Sequence, residues 1–238
     1  MDKAHREVDR ILAETLKKLT VGKFDELNLP EITVVLSAAQ RVRRLKKEID
    51  KLVDDFTVFI LAMLTIHLSE INSMAQFCYS LNTDYMSNEL DIESKGTFKT
   101  RNIGKGMKGR IERQTRKEIT KMVRDNKTND DIQKRLDAIA RKYRALSVTM
   151  AKGEATRAEN QARLDVMFDA EKQGQKLIKV WNAILDLVTR DSHRKVNKEK
   201  RPLKEKFSNG CRFPGDPDAP LWEVVNCRCW LTAEKIVV

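Results

Sequence analysis

EITVVLSAAQRVRRLKKEIDKLVDDFTVFILAMLTIHLSEINSMAQFCYS, residues 31–80, is the stretch on which the fold turns. Ile32, Val35, Leu36, Ala39, Val42, Leu45, Ile49 and Leu52 recur at three and four residues, the repeat of a helix with one buried face. Phe59, Met63, Ile66 and Phe77 extend it, and Pro30 sits where a helix can begin. The spacing therefore predicts that residues 31–80 are almost wholly helical. Cys78 falls inside this pattern and reads as a small core residue, as His67 reads as a helix-core histidine.

Upstream, Val8, Ile11, Leu12, Leu16 and Leu19 predict a short amphipathic helix that stops at Gly22, with His5 on its surface. Downstream, residues 82–110 scatter Asn82, Asn88, Gly96, Gly104, Gly106 and Gly109 among polar side chains and read as a hinge. Ile111, Ile119, Met122 and Val123 resume the helical period. Another helix starts at Thr128, where Asp131 three residues on completes a cap, and Ile132, Leu136, Ile139, Tyr143 and Leu146 line its face.

After Leu146 the composition changes. Residues 148–173 remain helical up to Gly174, Leu177–Ile184 (LIKVWNAI) is a compact strand-forming run, four of the five prolines follow, and Cys227–Val238 alternates like a terminal strand. The fold class is thus α+β: an elongated, mostly helical N-terminal region over 1–147 with a basic hinge at about 82–110, then a small α+β domain with a short antiparallel sheet over 148–238. Nine glycines and five prolines in 238 residues are too few for the turns of an all-β sandwich or barrel.

Charge is uneven. The chain carries 46 Lys and Arg against 35 Asp and Glu, a formal charge of +11, yet residues 95–152 alone hold 18 basic and 6 acidic groups while residues 1–94 are net acidic. Lys99, Arg101, Lys105, Lys108, Arg110, Arg113, Arg116 and Lys117 form the densest tract, and Lys95–Lys108 contains no acid. A tract of this kind neutralises phosphates without reading bases, so non-specific contact with double-stranded DNA is one reading; a solvated helix face with i to i+4 pairs is the other. The tract lacks the GxxxxGK[ST] spacing of a phosphate-binding loop.

The polar, mixed-charge N-terminus has no secretory pattern, so the mature chain is expected to begin here. The most apolar run, Phe56–Leu68, is shorter than the roughly 20 residues a bilayer needs, and no membrane partner is expected. Four cysteines in a chain this long do not make a disulfide scaffold, which points to synthesis in a reducing cytoplasm.

The most distinctive residues lie near the C-terminus: Arg190-Asp191-Ser192-His193, Phe207-Ser208-Asn209-Gly210, Pro214-Gly215-Asp216-Pro217 and Asn226-Cys227-Arg228-Cys229, preceded by Glu154–Arg163 (EATRAENQAR) and Lys179-Val180-Trp181. In order and spacing they resemble the C-terminal domain of the phage Mu F-like head morphogenesis family, the minor head or minor capsid proteins, over about residues 148–232. Departures are local: Leu185-Asp186-Leu187-Val188 and Asn197-Lys198 stand where the family has an acidic turn and a glycine.

The same residues carry chemistry of their own. His193, Cys211, Cys227 and Cys229 make a possible Cys3His set suited to tetrahedral zinc. The spacing is not that of a zinc finger, and reduced cysteines packing a modest domain is the plainer reading. No cofactor is expected otherwise. Asp191 and His193 with a cysteine could form a nucleophile, base and orienting acid, but nothing in the spacing makes them converge, and the chain is not expected to be an enzyme. Pro214–Pro217 reads as a turn in which Asp216 bonds its own backbone. Arg157 and Asn160, three apart on a helix, are placed to clamp the loops holding Asp191 or Asp216.

The resemblance implies a structural minor head protein of a tailed phage or related element. It would dock on the portal protein and on capsid or scaffold protein, and would be found in the virion, at the capsid interior or portal vertex, after passing through the host cytoplasm during assembly. The charge map adds packaged DNA. The alternative is a cytosolic zinc-binding or hydrolytic, toxin-like domain with a helical targeting region.

Overall fold

The computed structural model describes residues 6, 7, 10, 36–99 and 106–236. The helix expected over Val8–Leu19 falls almost wholly outside these residues, as do Arg101 and Lys105. In chain order the elements are α1 (Ala38–Arg44), α2 (Lys46–Leu90), α3 (Met107–Arg124), α4 (Asn129–Lys172), β1 (Leu177–Asn182), α5 (Asp191–Lys195), β2 (Lys200–Arg201), α6 (Leu221–Val224) and β3 (Trp230–Lys235). The chain divides into two compact units. A helical unit takes Leu19–Leu68 and Asn102–Ser147; a mixed unit takes Met1–Lys18, Ser69–Arg101 and Val148–Val238.

In the helical unit three helix ends are closed by side chains at readable positions. Ser37 caps α1: its hydroxyl accepts from the Gln40 amide at 3.3 Å and the Gln40 side chain returns a bond to Ser37 N at 2.9 Å. Thr128 and Asp131 do the same before α4, at 3.1 and 3.2 Å. Arg41 donates to the carbonyls of Val123 and Arg124 at 3.3 and 2.6 Å, closing the α3 C-terminus, where a cation also meets the negative end of the helix dipole. Inside, α2 buries Ile49, Val53, Phe56, Ile60 and Leu64, α3 buries Met107, Ile111, Ile119 and Val123, and α4 buries Ile132, Leu136, Ile139 and Tyr143. Each such side chain removed from water contributes about 1.5–3 kcal/mol before entropy is charged against it. His67, also buried, meets the Ser147 hydroxyl at 3.0 Å through Nδ1.

The mixed unit is built on a three-stranded antiparallel sheet in the order β2-β1-β3, with Val180 opposite Thr232 and Trp181 opposite Leu231. Its apolar core draws Met86 and Leu90 from α2, Leu164, Val166 and Met167 from α4, and Trp181, Phe207, Phe213 and Leu231 from the strands and loops.

Three sequence expectations change. The hinge over 82–110 is helical at both ends: α2 continues to Leu90, because Met86 and Leu90 still face a core and Asn82 satisfies its amide on the Cys78 carbonyl at 2.9 Å. The loop begins at Asp91, whose φ of 55° ends the helix. The boundary at 147/148 separates the two units, but it lies inside the unbroken α4, where no proline or turn interrupts Leu146–Gly153, and residues 69–101 join the C-terminal unit. Finally, α2 contains an 18-residue window with a mean hydropathy of 1.6, long and apolar enough by composition to cross a bilayer, where the sequence count found a shorter run; 44% of that window is buried.

Candidate functional site

The loop-rich end of the mixed unit gathers the sulfur and imidazole groups. Asn226, in the left-handed region at φ 55°, turns the chain after α6, and Cys227-Arg228-Cys229 then leads directly into β3. Short α5 carries His193 across from them. Nδ1 of His193 lies 3.3 Å from Cys229 Sγ and 3.9 Å from Cys227 Sγ, and all three ligand atoms fall within 4.8 Å of one another. On its other side, His193 Nε2 meets Glu223 Oε2 at 3.1 Å, and the same oxygen accepts from Ser192 Oγ at 3.0 Å. Since a carboxylate only accepts, Nε2 donates to Glu223, and Nδ1 is the ring atom that faces the sulfurs.

The electrostatics follow from this order. The Cys227 thiol bonds to Cys229 and so favours its thiolate; burial opposes this, and His193 reinforces it, so the Cys229 pKa falls well below that of a free thiol. Cys227 is raised correspondingly, by that bond and by burial. Burial would lower His193, but the bond and charge of Cys229 outweigh it and raise it. Thiol, imidazole and carboxylate are also the parts of an activated nucleophile. Here Cys229 is 3% and His193 2% exposed, so both groups lie beneath the surface.

Cys211, the remaining thiol of the predicted ligand set, is buried outside this group, its pKa raised to about 12 by burial. Asp191 is exposed at the start of α5 and is not the orienting acid. Glu223 fills that place, and since it stands thirty positions after His193, no local pattern could have pointed to it.

The predicted clamp is rearranged. Arg157 pairs with Glu154 one turn back, with Nε 3.2 Å from Oε1, donates to the Lys99 carbonyl at 2.9 Å and lies 4.1 Å above the Phe98 ring; it reaches neither Asp191 nor Asp216. Glu154 one turn back takes part of the guanidinium, and the remaining donor holds the loop at Lys99 rather than those at Asp191 or Asp216. Asp216 is held by Arg212 instead, through the backbone amide and Nη2 at 2.8 Å and Nε at 3.1 Å. These bonds overcome burial and keep its carboxyl below the usual range. Its Oδ1 also accepts the Asp218 amide, the turn expected of Pro214–Pro217. Gly215 is required there: its φ is 84°, and a Cβ would stand 3.0 Å from the Arg157 amide nitrogen.

Asn160 does bracket two elements, accepting from Leu231 N at 2.7 Å and donating to the Cys229 carbonyl at 3.2 Å, which fixes β3 against α4. The deeper clamp is Arg163, fully buried, bonded to Asn82 Oδ1 at 3.2 Å, the Leu231 carbonyl at 2.9 Å and Glu159 at 3.2 Å. The Glu159 spacing of four was visible in the sequence; the other two partners were not.

In the helical unit, α3 presents the basic tract. Met107, Ile111, Thr115, Ile119 and Val123 are buried, and Lys108, Arg110, Arg113, Arg116 and Lys117 are exposed on the same helix. Lys108 lies 3.8 Å from Glu112, and Arg116 is ion-paired to Asp50. Lys99 is exposed in the mixed unit.

Comparison with known families decides the assignment, because the family described as Phage Mu protein F like protein matches residues 107–232. The chain belongs to that family. No curated protein and no solved structure matches it. The Mu F-like match runs from the first residue of α3 into β3, so it takes in the basic helix as well as the C-terminal motifs, well upstream of the resemblance read from residue 148. Membership places the chain in phage head morphogenesis, with other head components as its partners and the virion or an assembly intermediate as its setting.

Proposed function

We propose that the chain is a minor head protein that docks on the portal and on capsid or scaffold protein at the capsid interior, and meets packaged double-stranded DNA through α3. The observation that carries this reading is the family match beginning at Met107: the region assigned to head morphogenesis opens with a helix of seven Lys and Arg against two Glu, whose apolar face is buried and whose cations point to water. Such a face supplies sequence-independent phosphate contact.

Docking has a separate support in the mixed unit. Leu185, Leu187, Val188, Leu221 and Trp222 are all more than half exposed. Their two segments are tied together by Arg228 to Asp186 at 2.6 Å and by the bond from Arg190 to the Val225 carbonyl. Exposed aromatic and aliphatic groups of this kind, rimmed by charge, mark protein contact surfaces. Co-expression with portal, scaffold and major capsid proteins tests the reading. The chain is expected in purified heads, and Leu187→Asp with Trp222→Asp should leave it outside while it remains folded. Heads assembled without the chain whenever it is present in the same cell would contradict the proposal.

A further inference from the structure

We infer that His193, Cys227 and Cys229 bind a zinc ion, with Glu223 as the outer carboxylate that orients the imidazole. The inference rests on geometry in the mixed unit and stands apart from the head-assembly reading. A tetrahedral ion bound at about 2.3 Å to sulfur and about 2.0–2.1 Å to nitrogen sets its sulfur and nitrogen ligands about 3.5 Å apart. The two Sγ to Nδ1 distances, 3.3 and 3.9 Å, bracket that value. Two thiolates and one imidazole are the donor set of zinc rather than of magnesium, calcium or manganese.

Three further observations point the same way. Glu223 bonds Nε2 and leaves Nδ1 as the ligand atom, the carboxylate, histidine and metal order by which proteins fix a ligand's tautomer and basicity. The indole N–H of Trp181 is fully buried with no hydrogen-bond acceptor, and it lies against the same cluster, its ring 5.4 Å from that of His193. A metal-bound sulfur would give that donor its acceptor. Lastly, the ligands come from α5 and from the chain between α6 and β3, two short helices of five and four residues that have little regular structure of their own to hold them. On binding, Zn²⁺ displaces the Cys227 thiol proton and the proton shared by Cys229 and His193; both leave to solvent, and His193 keeps its Nε2 proton on Glu223.

Protein purified without added metal or chelator should contain about one zinc per chain. Full-length wild-type protein stripped and reloaded with cobalt(II) should show the visible bands of a tetrahedral site together with a thiolate-to-cobalt charge-transfer band. The Cys227→Ser, Cys229→Ser double variant should lose both. If that variant does not fold, the wild-type cobalt spectrum still decides the matter. Glu223→Gln should keep the ion but bind it ten- to a hundredfold more weakly in competition with a chromophoric chelator, an effect typical of outer-shell partners. Folded wild-type protein that carries no zinc and gives no cobalt spectrum overturns the inference, as does a double variant that retains metal at wild-type stoichiometry.

Discussion

The two units solve opposite problems of burial. The helical unit hides apolar side chains at helical spacing and keeps its charges outside: Arg116 with Asp50, Arg135 with Glu118 and Lys134 with Asp130 all sit on its surface. The mixed unit buries the charges themselves, with Glu154, Arg157, Glu159, Arg163, Lys179, His193 and Asp216 all less than a tenth exposed. A buried ion must be paired or hydrogen-bonded on every side to survive the loss of water. The mixed unit therefore holds its strands and loops by a few long-range polar bonds, where the helical unit spreads its stability over many weak contacts. Single substitutions should hurt the first far more than the second.

The hardest blow to that contrast is Arg163→Met. It removes the partner of buried Glu159 and unties Asn82 and the Leu231 carbonyl, and breaking a buried pair from one side costs about 3–5 kcal/mol. Urea unfolding should show this loss. A cost below about 1 kcal/mol would mean that the mixed unit is held by its apolar core alone.

Lys179 sharpens the comparison through pH. It is fully exposed nowhere: burial lowers its pKa from 10.5 to about 8, while Nζ donates to the Arg212 carbonyl at 2.8 Å and lies 4.9 Å from the Phe207 ring. Between pH 8 and about 10.5 the unfolded chain binds this proton and the folded one does not, so raising the pH through that window stabilises the fold. Below pH 8 both states are protonated and the folded one bears the cost of a buried charge. Relative to Lys179→Met, wild-type protein should gain about 3 kcal/mol from pH 7 to 10.5, which thermal melts across that range would show. A constant difference between the two proteins would place Lys179 in water.

The smallest effect belongs to the helical unit. Thr128→Ala deletes the cap of α4 and should cost about 1 kcal/mol, read as a modest drop in melting temperature without loss of cooperativity. A collapse comparable to that of Arg163→Met would erase the distinction between the units.

This difference also explains what could be read in advance. Periodicity exposed the helices because burial there is local: the repeat from Leu45 on, the Thr128 cap and the stop at Gly174 each depend on neighbours a turn away. Where a polar residue was taken for a loop signal, as at Asn82, its real partner was Arg163, far along the chain. The candidate site divided in the same way. His193, Cys227 and Cys229 were legible from residue type, and the turn at Asp216 from its composition. Glu223, Trp181 and the substitution of Arg212 for Arg157 at Asp216 were not, because they depend on loops that meet only in the folded chain.

Most directly at stake is whether the basic helix touches DNA. The measurement is the affinity of the full chain for a labelled duplex of arbitrary sequence across a salt series, beside the Arg110→Glu, Arg113→Glu, Lys117→Glu variant. The account predicts that log affinity falls linearly with log salt concentration, with a slope set by the number of phosphates neutralised, that duplexes of different sequence bind alike, and that the variant loses binding while its melting transition is kept. Binding that ignores salt, or that the variant retains in full, would contradict it.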